Sequence, residues 1–250
     1  MATKTPASKT STDLDADIAR GLKKSSLTIK QLAGDKASVR ADFHFRGLRY
    51  QMEGLVDLAH GRPEPFKHQL SGPEGTVFEA TAIRGQQASR MEIQFGKAVQ
   101  GPRALVLNVE PLREGSLVGG FADGAELLPL RSSACSCTAT PDAPQRPLLA
   151  WQPDGSTRPV TMALPKAVRS DLQGLTQVMQ TTVARMGHGI GVGDILDVLD
   201  WVFCEVGCIG ELLWCWIRQP NIPSTSGIFD ILCMVVWSSC NMICRINRPF

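Results

Sequence analysis

Six of the eight cysteines in this 250-residue chain are arranged as mirror images. Cys204, Cys208 and Cys215 are followed by Cys233, Cys240 and Cys244, so successive gaps are four, seven, eighteen, seven and four residues, and each outer pair shares its midpoint at Ser224. Residues three and four apart lie on one face of a helix, so this spacing predicts two antiparallel helices folded about Ser224. Cys204 then faces Cys244, Cys208 faces Cys240 and Cys215 faces Cys233. Turn chemistry places the connection at the same point: Gln219-Pro220 and Pro223 end one helix, and Ser226 or Gly227 opens the next.

The mirror extends to other residues. Trp201 falls opposite Asn247, Glu211 opposite Trp237, and Arg218 opposite Asp230, the last an ion pair beside the turn. Both series of positions step by three and four, which is a heptad seam with cysteines at core positions. Helix axes about 8 to 10 Å apart bring facing Cα atoms to roughly 4 to 5.5 Å, within disulfide range. Two rivals stand beside three disulfides. Cys204, Cys208, Cys240 and Cys244 lie on adjacent turns and could offer four thiolates to a metal ion, or all six cysteines could be plain buried thiols. In topology the nested arrangement resembles helical hairpins with twin spaced cysteines, such as plant hairpinins and the two-helix glycocin bacteriocins. That resemblance covers the hairpin alone, and no functional residue is carried over from it.

The rest of the chain changes period twice. Residues 1–25 are polar and are expected to be a disordered tail, with one short helix near Asp13 to Leu22. Over 26–125 the period is two: Val39, Ala41, Phe43 and Phe45 alternate with polar residues, as do Leu48, Tyr50 and Met52, with a turn at Gly47. Further strands follow at Thr76 to Ile83, Arg90 to Phe95 and Arg103 to Val109. The expectation is an antiparallel sheet of five or six strands, as a meander, open barrel or sandwich. Residues 126–165 are rich in Pro, Gly and Ser and read as a connector. From 166 to 250 the period is helical: Val168, Leu172, Leu175, Met179, Val183 and Met186 form one amphipathic face, Gly187 to Gly193 make a hinge, and the hairpin occupies 194–247. The fold class is therefore α+β, an N-terminal antiparallel sheet followed by helices ending in a cysteine-paired hairpin.

Function is less constrained. A formal charge of +2, with basic and acidic residues interleaved, argues against nucleic acid as a partner. His44, His60, His68 and His188 are scattered, without metal-ligand spacing or a cysteine suited to a nucleophile pair, so a non-enzymatic protein without cofactor or small-molecule substrate is expected. Phe203, Trp214, Trp216 and Phe229 sit off the seam and are the expected interaction surface, with a protein or membrane surface as partner. The first helix carries only acidic charges from Gly191 to Ile217, so electrostatics would not draw it to an anionic membrane. The N-terminus lacks an apolar signal segment, whereas stable disulfides suggest an oxidising compartment or secretion, which leaves the localisation undetermined. Two alternatives accompany the interaction protein. One is a precursor cut near Gly119-Gly120 or within the connector to release a membrane-active, bacteriocin-like peptide; the other is a cytosolic thiolate metal-binding protein.

Overall fold

A computed structural model describes residues 11–32, 36–57, 62–63, 65–84, 88–113, 116–132, 147–187, 195–218 and 231–240. Twelve strands form one antiparallel sheet. They are β1 (Ser26–Leu32), β2 (Lys36–Phe45), β3 (Leu48–Asp57), β4 (Arg62–Pro63), β5 (Phe66–Gly72) and β6 (Gly75–Arg84). β7 (Ser89–Phe95), β8 (Ala104–Pro111), β9 (Ser116–Ala122), β10 (Ala125–Ser132), β11 (Leu149–Trp151) and β12 (Thr157–Pro159) continue it. Their order is that of the sequence, an open meander from β1 to β12, with β4 alone set aside as a short partner of β3.

Alternation decides which face is covered. In β2, Ala37, Val39, Ala41, Phe43 and Phe45 are all buried, and the residues between them lie towards the other face. Tight turns hold the register. Arg46-Gly47 joins β2 to β3 with φ of +45° and +84°, and Asp123-Gly124 joins β9 to β10 with φ of +49° and +82°. Two successive positive φ angles give a two-residue turn whose twist matches its strands. The Asp123 carboxylate accepts hydrogen bonds from the backbone N–H groups of Arg103 and Ala104 at 2.8 and 2.9 Å, which ties the second turn to β8.

The sheet is twice as long as the sequence pattern predicts, and it runs past residue 125 into the expected connector. β10 escapes a periodicity reading because Pro129 sits in a register shift between Leu127 and Leu130. β11 and β12, three residues each, are too short to show a period. Gly119-Gly120 is not a linker but the middle of β9. Gly120 has φ +138°, and a Cβ there would overlap the Val106 carbonyl, so the pair marks a close approach of two strands. A cut at that point would fall inside the sheet.

Among the described residues four helices cover the apolar face. α1 (Ser11–Lys24) contains the short helix expected near Asp13 to Leu22, and it is docked rather than part of a loose tail. Leu14, Ile18 and Leu22 pack on the core, and a Cβ on Gly21 would meet the His44 carbonyl and Val178. The Asp17 carboxylate pairs with Arg20 and with Arg46 at the β2–β3 turn. α2 (Lys166–Gly187) buries Val168, Leu172, Leu175, Met179 and Val183 as its period predicts. α3 (Ile195–Arg218) and a helix over residues 231–240, here α4, are the two arms of the hairpin.

Candidate functional site

The hairpin is built from facing cysteines. Cys208 is bonded to Cys240 and Cys215 to Cys233, with Cα–Cα separations of 5.5 and 5.7 Å. Both values lie within the range for bridged antiparallel helices. Cys204 is also disulfide-bonded, and Cys244 lies outside the described residues. A sulfur held in a disulfide is not a thiolate ligand, so the alternative metal site loses Cys208 and Cys240 in this state. Neither described bridge joins the hairpin to the sheet.

Where the hairpin's aromatic residues go departs from expectation. Trp216, expected on an exposed interaction surface, is fully buried, its ring centroid 6.1 Å from that of Phe78 on β6. Trp237, expected to face the seam opposite Glu211, packs on the sheet instead, 5.5 Å from Phe78 and 5.3 Å from His68. The reason is physical. With Val202, Val206, Ile209, Leu212, Leu213 and Trp216 buried on α3, and Ile231 to Val235 buried on α4, the apolar sides of both arms cover the inner face of the sheet. Trp214, the other expected surface residue whose side chain is described, is half-buried. The side chains of Trp201, Phe203, Glu211 and Arg218 lie outside the described part of the structure, as do Phe229, Asp230 and Asn247, so the Arg218–Asp230 pair is not placed. The hinge at 188–193 and Cys135 and Cys137 are likewise outside it.

Polar contacts hold the hairpin to its surroundings. On α4, the Ser239 hydroxyl is 3.1 Å from that of Ser116 on β9, and the Ser238 hydroxyl is 3.3 Å from the Met91 sulfur on β7. Arg169 of α2 donates to the Trp216 carbonyl in the last turn of α3 at 2.8 Å, where a helix has backbone oxygens left over.

Beneath the hairpin lies a group of buried acid–base side chains that spacing rules pass over. Tyr50 on β3 and His68 on β5 are 0 % and 1 % exposed, and the Tyr50 hydroxyl lies 2.8 Å from His68 Nδ1. Glu205 of α3 is 0 % exposed. Burial pushes the Tyr50 hydroxyl well above its usual range, and the charge of Glu205 pushes it further. A signal was present for each. His68 occupies an inward position in the alternation Phe66-Lys67-His68-Gln69-Leu70, and Glu205 follows Val202 by three on the apolar stripe of α3. In the sequence His68 is one of four scattered histidines and Glu205 one of five acidic residues between Gly191 and Ile217, so nothing in their spacing sets them apart.

Two of the open grooves on the described surface contrast in lining. One, of about 540 Å3, runs over the outer face between Arg40, Gln51, Glu53, Lys67, Gln69 and Glu79. The strand register sets Arg40, Glu53, Lys67 and Thr81 side by side, an alternating row suited to water. The other, of about 410 Å3, is an apolar cleft between α2 and α3 beside Gly207, Gly210 and Trp214. Among the described residues no helix is long and apolar enough to cross a membrane. Comparison of the chain with protein-family models, with curated proteins and with solved structures finds no match.

Proposed function

We propose that this is a non-enzymatic interaction protein whose disulfide-closed hairpin is stored with its apolar side against the sheet and is presented from there to a membrane surface. One observation carries the reading: both described disulfides close the hairpin on itself, and neither of these two fastens it to the sheet. A unit held by its own covalent bridges keeps its shape when it leaves its dock, whereas one held by packing alone does not. Its apolar side, with Trp216, Trp237 and Ile231 to Val235, is the kind of surface that a lipid interface accepts. The acidic residues of α3 favour zwitterionic over anionic lipid. A second reading, a precursor that releases the hairpin as a membrane-active peptide, draws on the same bridges, with the cut in residues 133–146 or 188–194 rather than at Gly119-Gly120.

Flotation of the oxidised full chain with phosphatidylcholine vesicles tests this, with protease applied to the floated fraction. The expected result is recovery of a vesicle-bound, disulfide-linked fragment containing α3 and α4, in larger amount than with vesicles rich in phosphatidylserine. No flotation on either vesicle would refute the membrane reading and leave a protein partner as the occupant. A bound species consisting only of the full chain, without specific cleavage in cell-derived material, would count against the precursor.

A further inference from the structure

One cross-strand row on the outer face of the sheet changes character along its length. Past Arg40, Glu53 and Lys67 the register leads through β6 to Glu92 on β7, Val106 on β8, Phe121 on β9 and Glu126 on β10. Leu127 pairs with Ala150, which sets Trp151 of β11 beside Glu126. Leu127 and Ala150 are buried on the inner face, whereas Phe121 and Trp151 are 44 % and 45 % exposed, with the exposed Glu126 between them. Beyond Lys67 this row brings no basic residue, and Arg131 and Arg158 stand in other positions, opposite Leu117 and Ala150.

We propose that Phe121, Glu126 and Trp151 form a seat for the trimethylammonium group of a choline headgroup, through which the outer face of the sheet rests on a zwitterionic membrane. The seat shares that membrane with the reading above, and it does not require the hairpin to leave the sheet.

Spacing and charge select this occupant. Strands about 4.8 Å apart put Phe121 and Trp151 roughly 10 Å from each other, so a cation held midway lies about 5 Å from each ring, inside cation–π range. Glu126 supplies the balancing charge at that midpoint. A quaternary ammonium has no N–H to donate, so aromatic rings and a carboxylate are the groups that recognise it, whereas an anionic headgroup would meet Glu126 as a like charge. The seat is also flat and open. Gly119, two residues before Phe121 on the same face, adds no side chain, and a Cβ there would meet nothing within 4 Å. A lone ion on such a surface keeps much of its contact with water; a membrane offers the same group as an array. The half-buried Val106, Leu117 and Leu149 around the seat then meet the interfacial layer, where tryptophan is favoured. A second copy of the chain fits less well. The apolar side chains span β8 to β11, about 15 Å across and as far along the strands, so roughly 200–300 Å2, against about 800 Å2 per partner in a stable interface.

Co-sedimentation of the oxidised full chain with vesicles tests the seat. Phosphatidylcholine vesicles should bind the parent at least about threefold more strongly than phosphatidylethanolamine-rich ones, whose ammonium group lacks the methyls. Trp151→Ala and Glu126→Gln should each lower the phosphatidylcholine partition coefficient about three- to fivefold, while Trp151→Phe holds it within about twofold. Choline chloride should displace the parent more than potassium chloride does at equal concentration. Equal binding to the two kinds of vesicle, or variants that bind as the parent does, overturns the seat and leaves a contact through the hairpin standing. Should Trp151→Ala fail to fold, Glu126→Gln, at an exposed position, decides alone. Variant-sensitive binding with unchanged hydrogen exchange in α3 and α4 keeps the seat and sinks the release of the hairpin. No binding to any vesicle overturns both, and a dimer that Trp151→Ala abolishes in the absence of lipid would assign the face to a second copy instead.

Discussion

Gly174 and Gly207 show how one residue type carries opposite meanings in neighbouring helices. A Cβ at Gly174 of α2 would overlap the Phe45 ring, which is buried on β2 and has no room to turn aside. Gly207 of α3 is exposed, and a Cβ there would meet nothing within 4 Å. Alanine in a helix is ordinarily favoured over glycine by about 0.8–1 kcal/mol. Gly207→Ala should therefore raise stability by about 0.5–1 kcal/mol, while Gly174→Ala should lower it by roughly 1–3 kcal/mol through overpacking. Urea unfolding followed by circular dichroism separates the two, and equal signs would contradict the helix–sheet contact described. From the sequence alone these glycines are indistinguishable, because the discriminating neighbour of Gly174 is more than a hundred positions away. Phe45 itself was legible as an inward residue of a strand; its partner was not.

For the elements, the hairpin was the most readable part of the chain. Its cysteine spacing and the prolines of its turn agree, and both described bridges join residues that the mirror places opposite each other. The bridges span 32 and 18 residues, and removing either by paired serine substitution should cost on the order of 2–4 kcal/mol, less for the second one removed because the loops are nested. Denaturation midpoints of Cys208→Ser/Cys240→Ser and Cys215→Ser/Cys233→Ser, compared with the parent, measure this. Alkylation of any of these four cysteines in the unreduced parent would show that the bridges are not formed. Less readable was the destination of the hairpin's tryptophans. A heptad identifies the line along which two helices touch; it does not say whether a third surface lies alongside, and here the sheet takes Trp216 and Trp237. The strands split in the same way. Clean alternation marks strands such as β2 and β3, whereas β10 with its proline and shift and the very short β11 and β12 fall in the segment that reads as a connector, and the paired glycines of β9 read as a cut site.

At the scale of the whole molecule, two titrating groups set opposite ends of the pH range. The Tyr50 hydroxyl is raised by burial and by Glu205, so its contribution is intact below the ordinary tyrosine value of about 10 and is lost as pH rises beyond it. Burial alone would raise Asp42, but hydrogen bonds from Arg49 at 2.9 and 2.5 Å and the charges of His44, Arg49 and Arg40 outweigh it and leave the carboxyl below its usual range. Its contribution is present above the ordinary carboxylate value of about 3.9 and fades as pH falls through the lowered one. Tyr50 is the single tyrosine of the chain, so tyrosinate absorbance titrates it directly. That absorbance should appear only together with loss of structure; tyrosinate forming reversibly near pH 10 in a folded chain would contradict the burial. The meander has a consequence of another kind. Every strand pairs with a neighbour that precedes residue 160, and the described chain from residue 195 onwards contributes none. Among the described residues the hairpin therefore lies on the ladder without supplying a rung of it: the backbone pairing of the sheet is complete before the sequence of the hairpin begins.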